Sequence, residues 1–209
     1  MIFRTIVALL LLLVTVLQSA AQSYVGGAGM VNAGYMYAPA ISSSLSSTLG
    51  NSFKFQKGFT VIGAEMNYRN HPLVLVASAY VGTSEARSFD GKVIEPFIWK
   101  AHGGVGRIIY QGNALSMYPV VGLGTIQSSL TYHSNSNPDI NNVMTSPSVD
   151  CSLHLDYLLN GHVATNNFFQ ATMLSARVGY THGLARNKLQ GWNITISFGG
   201  IAFLRNKES

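Results

Sequence analysis

The chain has 209 residues, of which 47% are hydrophobic but only 10% are charged. Globular proteins average about 25% charged residues, and disordered chains, coiled coils and nucleic-acid-binding arms all need dense charge. The net charge of +5 comes from 13 Lys and Arg residues that form no basic run. The composition therefore excludes those three classes, and we expect no nucleic-acid partner.

The chain contains one cysteine, Cys151, and six histidines. A single cysteine cannot form an internal disulfide, and the histidines show no paired ligand spacing, so no metal site is predicted. Gly122-Leu-Gly124 lies inside a predicted strand and does not open a helix, so nucleotide binding is not predicted. We expect no cofactor.

Residues 1–21 have the pattern of a cleaved secretory signal peptide. Arg4 supplies a positive charge, residues 6–17 form an apolar stretch, and Ser19-Ala20-Ala21 offers small residues for cleavage. The apolar stretch is about 12 residues long, short of the roughly 20 that span a bilayer as a helix. We therefore predict export, cleavage after Ala21 and one mature domain over residues 22–209.

The mature sequence is dominated by alternation of apolar and polar residues, which is the period of a β-strand. In residues 192–198, Trp, Ile, Ile and Phe alternate with Asn, Thr and Ser, and residues 149–159 alternate in the same way. Most of the alternating segments reach the ~9–11 residues with which a tilted strand crosses a membrane. The eight predicted strands are 24–37, 59–69, 73–82, 95–110, 115–127, 149–160, 169–182 and 191–203.

The connections between these strands alternate in length. The short ones are 70–72, 111–114 and 161–168, and the long ones, rich in Ser, Asn and Gly, are 38–58, 83–94, 128–148 and 183–190. Ten aromatic residues lie near strand ends: Tyr35, Tyr37, Phe59, Tyr68, Phe97, Tyr110, Phe168, Phe169, Tyr180 and Trp192. Short turns at one end, long polar loops at the other and aromatic girdles are typical of an outer-membrane barrel.

On these features the chain resembles the small eight-stranded outer-membrane β-barrels of Gram-negative bacteria, the OmpA- and OmpX-like type. The resemblance covers residues 24–203 and implies an all-β, antiparallel up-and-down transmembrane barrel in the cell outer membrane, with short periplasmic turns and long extracellular loops. It also implies contact with outer-membrane lipids and lipopolysaccharide, and folding by the barrel-assembly machinery. Proteins of this type usually end on an aromatic residue, whereas here Phe203 is followed by six further residues.

A secreted ligand-binding barrel of the lipocalin type is the alternative, with its apolar face turned inward. The water-facing wall of such a barrel would carry many Lys and Glu residues, whereas the polar faces here are mostly Ser, Thr, Asn and Gly. We therefore assign the apolar faces to lipid and the polar faces to the lumen. Backbone groups in hydrocarbon must all be paired, so the sheet is expected to close on itself.

This assignment places seven polar residues in the lumen: Glu65, Lys100, His102, Asp150, His154, Asp156 and Arg177. An eight-stranded interior is only wide enough for side chains to fill, so we expect a polar network that plugs the barrel. We expect Arg177 to pair with Asp150, and Lys100 or Arg107 to pair with Glu65 and Asp156. Arg107 has lipid-facing parity unless a bulge at residues 103–104 turns it inward. A narrow ion path is the alternative to a plug.

The sequence gives little support to an enzyme. One outer-membrane lipid A deacylase of this size uses a His-x-Ser-Asn motif, whereas His133-Ser134-Asn135 lacks the spacer, and His162 and His182 have no evident Ser and carboxylate partners. We predict a non-enzymatic barrel with a structural or surface-interaction role, which binds a protein or surface polymer through its loops. The alternatives are an accessory subunit of a larger outer-membrane transport or secretion assembly, and a lipid A-modifying enzyme.

Overall fold

The computed structural model describes residues 24–48, 55–89, 92–133, 138–165, 168–185 and 189–205. The predicted signal peptide, residues 1–21, lies outside the described residues. The described elements are β1 (Tyr24–Tyr37), α1 (Pro39–Thr48), β2 (Gly58–Asn70), β3 (Leu73–Thr83), β4 (Arg87–Phe89), β5 (Lys92–Arg107), β6 (Tyr110–Gln111), β7 (Leu115–His133), β8 (Pro138–Thr165), β9 (Phe168–Gly183) and β10 (Gln190–Arg205).

The eight long strands form a closed antiparallel barrel. Each pairs with its neighbours in the order β1, β2, β3, β5, β7, β8, β9 and β10. The barrel closes where β10 pairs with β1, from Tyr24 opposite Arg205 to Tyr37 opposite Trp192. The short strands β4 and β6 pair with β5 and β7 at opposite ends of the barrel. The predicted fold class, an eight-stranded antiparallel up-and-down barrel, is confirmed.

The two ends of the barrel differ. We call the end where β2 meets β3, β5 meets β7 and β8 meets β9 the turn end, and the opposite end the loop end.

The predicted loop 128–148 is wrong in large part, because β7 continues to His133 and β8 begins at Pro138, with a register shift between Ser128 and Leu130. On the β8 side this hairpin extends past the last pair with β9, Ser148 opposite Gly183, whereas on the β7 side it stays paired with β5 up to Val93 opposite His133. Residues 128–148 lack the regular alternation of apolar and polar residues, so the sequence pattern did not predict a strand there.

The predicted strand 95–110 is also wrong at its end. β5 stops at Arg107, and Ile108 then turns into the lumen, where it is buried. The ladder between β3 and β5 runs without a register shift through residues 103–104, so the bulge considered there is absent. Arg107 keeps its outward parity and lies opposite Leu73 at the turn end.

The two faces of the strands differ in polarity as predicted. On β10, Trp192, Ile194, Ile196 and Phe198 are 54–60% exposed on the outer wall, whereas the residues between them face the lumen and are buried. Exposed aromatic residues lie near both ends, with Tyr35, Tyr37 and Trp192 at the loop end and Tyr68, Tyr110 and Tyr157 at the turn end. Phe59 is an exception, since it is buried inside the barrel.

The lumen has three layers. Apolar clusters fill both ends, and polar side chains lie between them. We call the loop-end cluster the cap cluster; it consists of Met36, Ala38, Ile41, Leu45, Phe55, Phe59, Val61, Ile94, Ile98, Ile126, Leu130 and Leu189. Two floor clusters lie toward the turn end, one of Ala28, Met30, Ala171, Met173 and Ile201 and the other of Val74, Val76, Ile108, Tyr118 and Val120. Phe203 and Phe169 pack against the first floor cluster with their ring centroids 6.3 Å apart.

The predicted polar loop 38–58 contains the helix α1. Ile41 and Leu45 lie one turn apart, so they share a helix face, and both are fully buried in the cap cluster. The helix is tied to the segment that follows it, because the Ser46 Oγ accepts a hydrogen bond from the Phe55 N–H and the Ala38 N–H donates to the Lys57 carbonyl. No described helix is long and apolar enough to cross a membrane. Because Ile41 and Leu45 are buried in the cap cluster, α1 closes the lumen at the loop end.

Candidate functional site in the barrel lumen

The structure places all seven predicted polar residues inside the barrel, each at most 6% exposed. It adds an eighth, Arg69, which is equally buried. Among the described residues, the buried Asp, Glu, Lys and Arg side chains comprise three cations and three carboxylates, which form three ion pairs. We call these six residues the charged layer: Glu65, Arg69, Lys100, Asp150, Asp156 and Arg177.

Arg177 is the centre of the charged layer. Its Nη1 lies 3.4 Å from Oε2 of Glu65 and donates to the Tyr80 hydroxyl at 2.6 Å, and its Nη2 lies 2.9 Å from Nε2 of His102. The guanidinium also stands over the Tyr80 ring, 5.6 Å from the centroid. A buried charge needs both a counter-charge and hydrogen-bond partners, and Arg177 has both.

The prediction that Arg177 pairs with Asp150 is wrong, for a reason of register. On the paired strands β8 and β9, Arg177 lies opposite His154, whereas Asp150 lies opposite Thr181, four residues along the strand. Asp150 instead forms an ion pair with Lys100, which reaches it from β5. Thr181 donates to Asp150 Oδ1 at 2.7 Å and accepts from Lys100 Nζ at 2.6 Å, so it holds both partners of that pair.

The partner of Asp156 is Arg69, which the sequence reading missed. Arg69 also donates to the Asn67 side-chain oxygen at 3.2 Å and to Ser116 Oγ at 3.3 Å, and it stacks over Tyr118. Arg69 is the last residue of the predicted strand 59–69, but the prediction assigned it to neither face. The alternation that places Glu65 and Asn67 inward extends to Arg69 and could have revealed it.

Arg107, the other candidate cation, takes no part in this layer. It lies on the outward-facing side of β5 at the turn end, close to the β2–β3 turn. Burial and the Arg107 guanidinium lower the pKa of His71 in that turn. Arg107 is therefore at the membrane boundary, where a charged side chain can remain in water.

His154 connects a serine to a carboxylate. Its Nε2 lies 3.1 Å from Ser152 Oγ and its Nδ1 lies 3.5 Å from Oε1 of Glu65, the order found in serine hydrolases. A hydrolase also needs an oxyanion hole, for which free backbone N–H groups are the usual donors. Ser152 lies between Val120 of β7 and Gly179 of β9 in an unbroken ladder, so the neighbouring N–H groups are used by the barrel itself. His154 is fully buried and stacks on Tyr118 at 4.9 Å. His154 and Glu65 are buried, and neither His154 Nδ1 nor Glu65 Oε1 has a hydrogen-bond partner among the described residues, so the three side chains do not form a hydrogen-bonded triad.

Among the side chains that the structure describes, the other histidines and the cysteine do not form a second site. His102 contacts Ser78 Oγ at 3.0 Å within the lumen, and His182 is exposed, with its Nδ1 3.1 Å from the Gln190 side-chain oxygen. The side chains of His133 and His162, with Ser134 and Asn135, lie outside the described residues. Cys151 is exposed on the outer wall. In the described part of the chain, no three His, Cys, Asp or Glu side chains are grouped so that they could hold a metal ion.

Comparison with known proteins gives likenesses of structure only. No protein-family model matches the chain, and no curated protein sequence matches it. Ail, the attachment invasion locus protein of Yersinia pestis, is similar over 86% of this chain and 98% of its own, with 11% identity and a TM-score of 0.47. Neisserial surface protein A covers 88% and 97%, with 10% identity and a TM-score of 0.40. The outer membrane protein OprG of Pseudomonas aeruginosa covers 88% and 95%, with 11% identity and a TM-score of 0.35.

The membrane assignment rests on the barrel itself. Every long strand is paired on both sides, so the wall has no free edge over the height that all eight strands share. Its outer surface is apolar with aromatic residues near both ends, and the charged layer is buried inside, which reverses the arrangement of a soluble barrel. The chain is therefore an eight-stranded β-barrel of the outer-membrane type.

Proposed function

We propose that the protein is a non-enzymatic outer-membrane barrel that does not conduct ions and acts through the surface at its loop end. The filled lumen carries this proposal. The charged layer is fully paired and lies between the cap cluster and the floor clusters, and α1 covers the loop end. Export directed by residues 1–21, contact with lipopolysaccharide and folding by the barrel-assembly machinery are parts of the same proposal.

Conductance in planar bilayers tests the filled lumen. The purified protein is expected to give no stable open-channel steps, because ions would have to pass the cap cluster, the charged layer with its three ion pairs, and the two floor clusters. Large, stable currents from the unmodified protein would contradict the proposal and favour a channel.

The β7–β8 hairpin is the most prominent feature of the loop end. Residues 138–147 of β8 continue past the last pair with β9, Ser148 opposite Gly183, while still pairing with β7. At ~3.3 Å per residue this is on the order of 30 Å of additional strand. Connecting segments that project from a rigid scaffold commonly carry binding functions. We propose that this hairpin contacts a protein or surface polymer outside the cell.

A shortened hairpin separates this role from the alternative of an accessory subunit. Replacing residues 132–139 by Asn-Gly closes the hairpin at the Thr131–Ile140 pair with a two-residue turn and keeps Leu130 and Met144, which pack at the cap cluster. Cross-linked complexes are then recovered from intact cells with the original and the shortened protein. A stoichiometric partner that is lost on shortening supports the surface role. A partner that remains bound points to lateral docking and the subunit alternative.

A further inference from the structure

Arg107 is the charged residue of the outer wall at the turn end, among the side chains that the structure describes. It forms no ion pair with a described residue. The neighbouring segments, residues 70–72 and 108–114, contain no Asp or Glu, so the sequence offers no counter-charge beside it. A cation without a counter-charge at the edge of an apolar wall favours an anion from outside the chain, and a guanidinium fits a phosphate with two parallel hydrogen bonds.

The β2–β3 turn lies beside Arg107. The N–H of Ile108, the next residue along the chain, donates to the Pro72 carbonyl at 2.8 Å, and Leu73 lies opposite Arg107 on β3. Burial lowers the pKa of His71 in this turn and the Arg107 guanidinium lowers it further, so the two side chains are near each other. A neutral imidazole has one N–H donor and no charge. Arg107 and His71 together therefore offer one positive charge and several N–H donors, which suits a single phosphate.

The depth of Arg107 in the wall is that of a lipid headgroup. It lies two residues nearer the turn end than a row of exposed side chains on four neighbouring strands, Tyr68, Leu75, Val105 and Val121. Two residues of strand span ~7 Å, and tyrosines are enriched where hydrocarbon meets the headgroups. Arg107 is therefore on the headgroup side of this row.

An apolar groove of about 580 Å³ lies on the other side of the row, toward the middle of the wall. Its floor consists of small residues of β3 and β5, Ala77, Ala79, Ala101 and Gly103. Met66 and Leu123 flank it at the height of Gly103, and each is 69% exposed. A Cβ on Gly103 would have only the Val76 carbonyl oxygen near it, at 3.8 Å, so the groove is open at this point.

The groove runs along the same two strands that carry Leu73 and Arg107. Ala101 precedes Arg107 by six residues on β5. Six residues span ~20 Å of strand, or roughly 15 Å of depth at a strand tilt of ~40°. A hydrocarbon core is about 30 Å thick, so this depth is that of one leaflet. An acyl chain joined to a phosphate at Arg107 therefore has the length to lie in the groove.

We propose that this part of the outer wall binds one phospholipid of the leaflet that borders the turn end. Its phosphate pairs with Arg107 and accepts a hydrogen bond from His71, and one of its acyl chains lies in the groove between Met66 and Leu123. The site depends on the membrane assignment of the barrel. It goes beyond the proposed surface role of the loop end, and neither depends on the other.

Native mass spectrometry of the detergent-solubilised protein, titrated with dioleoyl phosphatidylglycerol, tests the site. We expect one lipid to bind ahead of all others. Arg107→Gln should weaken this first binding step by roughly fivefold, the effect of one basic residue near a membrane surface. Gly103→Leu should weaken it by roughly threefold or more, because the leucine side chain fills the groove. Heat-modifiable gel mobility shows that each variant is folded.

Each variant has a matched control. Arg87→Gln removes an exposed cation at the loop end, and Gly200→Leu adds a side chain to another outward-facing glycine, where a Cβ would meet nothing within 4 Å. Both should bind the first lipid as the unmodified protein does. Equal first affinities for Arg107→Gln and Arg87→Gln, or for Gly103→Leu and Gly200→Leu, would overturn the proposal.

Two further probes distinguish a phospholipid from its parts. Dioleoylglycerol lacks the phosphate, so it should bind more weakly than the phospholipid and equally to the unmodified protein and Arg107→Gln. Excess inorganic phosphate should not displace the bound phospholipid, because it cannot occupy the groove. Displacement by inorganic phosphate, or an equal affinity for dioleoylglycerol, would contradict a site that holds the phosphate and the acyl chain of one lipid.

Discussion

Replacement of Arg177 by alanine should be among the most destabilising single changes in this barrel. Arg177 is 2% exposed and is bound to Glu65, Tyr80 and His102. Its removal leaves the Glu65 carboxylate buried without its cation, which costs about 3–5 kcal/mol. The Arg177→Ala/Glu65→Gln double variant removes both charges. Its remaining loss of unfolding free energy comes mainly from lost hydrogen bonds and packing and is roughly 2–3 kcal/mol. We therefore expect the second substitution to restore on the order of 2 kcal/mol.

Urea unfolding in lipid vesicles measures these free energies, and the fluorescence of Trp192 on the outer wall is a suitable probe because it leaves lipid when the barrel unfolds. Val178→Ala is the control, since Val178 is adjacent in sequence but 48% exposed on the lipid side. Val178→Ala should lower the free energy of unfolding by about 1 kcal/mol or less. The reasoning is refuted if Arg177→Ala costs no more than the control, or if the double variant is no more stable than the single one.

Three further outcomes are expected. Ile196→Arg should cost about 2–4 kcal/mol at the middle of the lipid-facing wall, measured by the same unfolding assay, and a cost near zero would show that Ile196 does not face lipid. The Ile41→Ser/Leu45→Ser variant should lower the free energy that holds α1 against the cap cluster by roughly 3 kcal/mol or more. Proteinase K should therefore cut residues 39–48 of this variant while the barrel stays folded. Resistance equal to that of the unmodified protein would argue against α1 as a packed cover. The protein should fractionate with outer membranes and migrate faster on SDS gels before boiling than after, and recovery in a detergent-free soluble fraction would contradict a membrane barrel.

The cap cluster and the charge pairing required the tertiary structure. Residues 38–58 look like a polar loop because five serines surround Ile41 and Leu45, and only the mouth of the closed barrel gives those two side chains a place to be buried. The cap cluster also shows that inward-facing residues at the loop end are apolar, a feature that the alternation rule does not predict. The cause is α1 itself, which excludes water from that end of the lumen.

The sequence by itself determined the barrel, the strand order and the side of each strand that faces lipid. A period of two residues decides which side chains share a face, and the scarcity of charge decides which face meets hydrocarbon, so Ile196 is placed outside and Arg177 inside without further information. Only the tertiary structure decided which charges meet. Partners such as Lys100 and Asp150, or Arg69 and Asp156, lie on strands that are far apart in sequence, and their contact depends on the register of the ladders and on how the barrel closes. A shift of two residues along one strand preserves every face and changes every pair, which is why alternation could identify the lumen residues but not their partners.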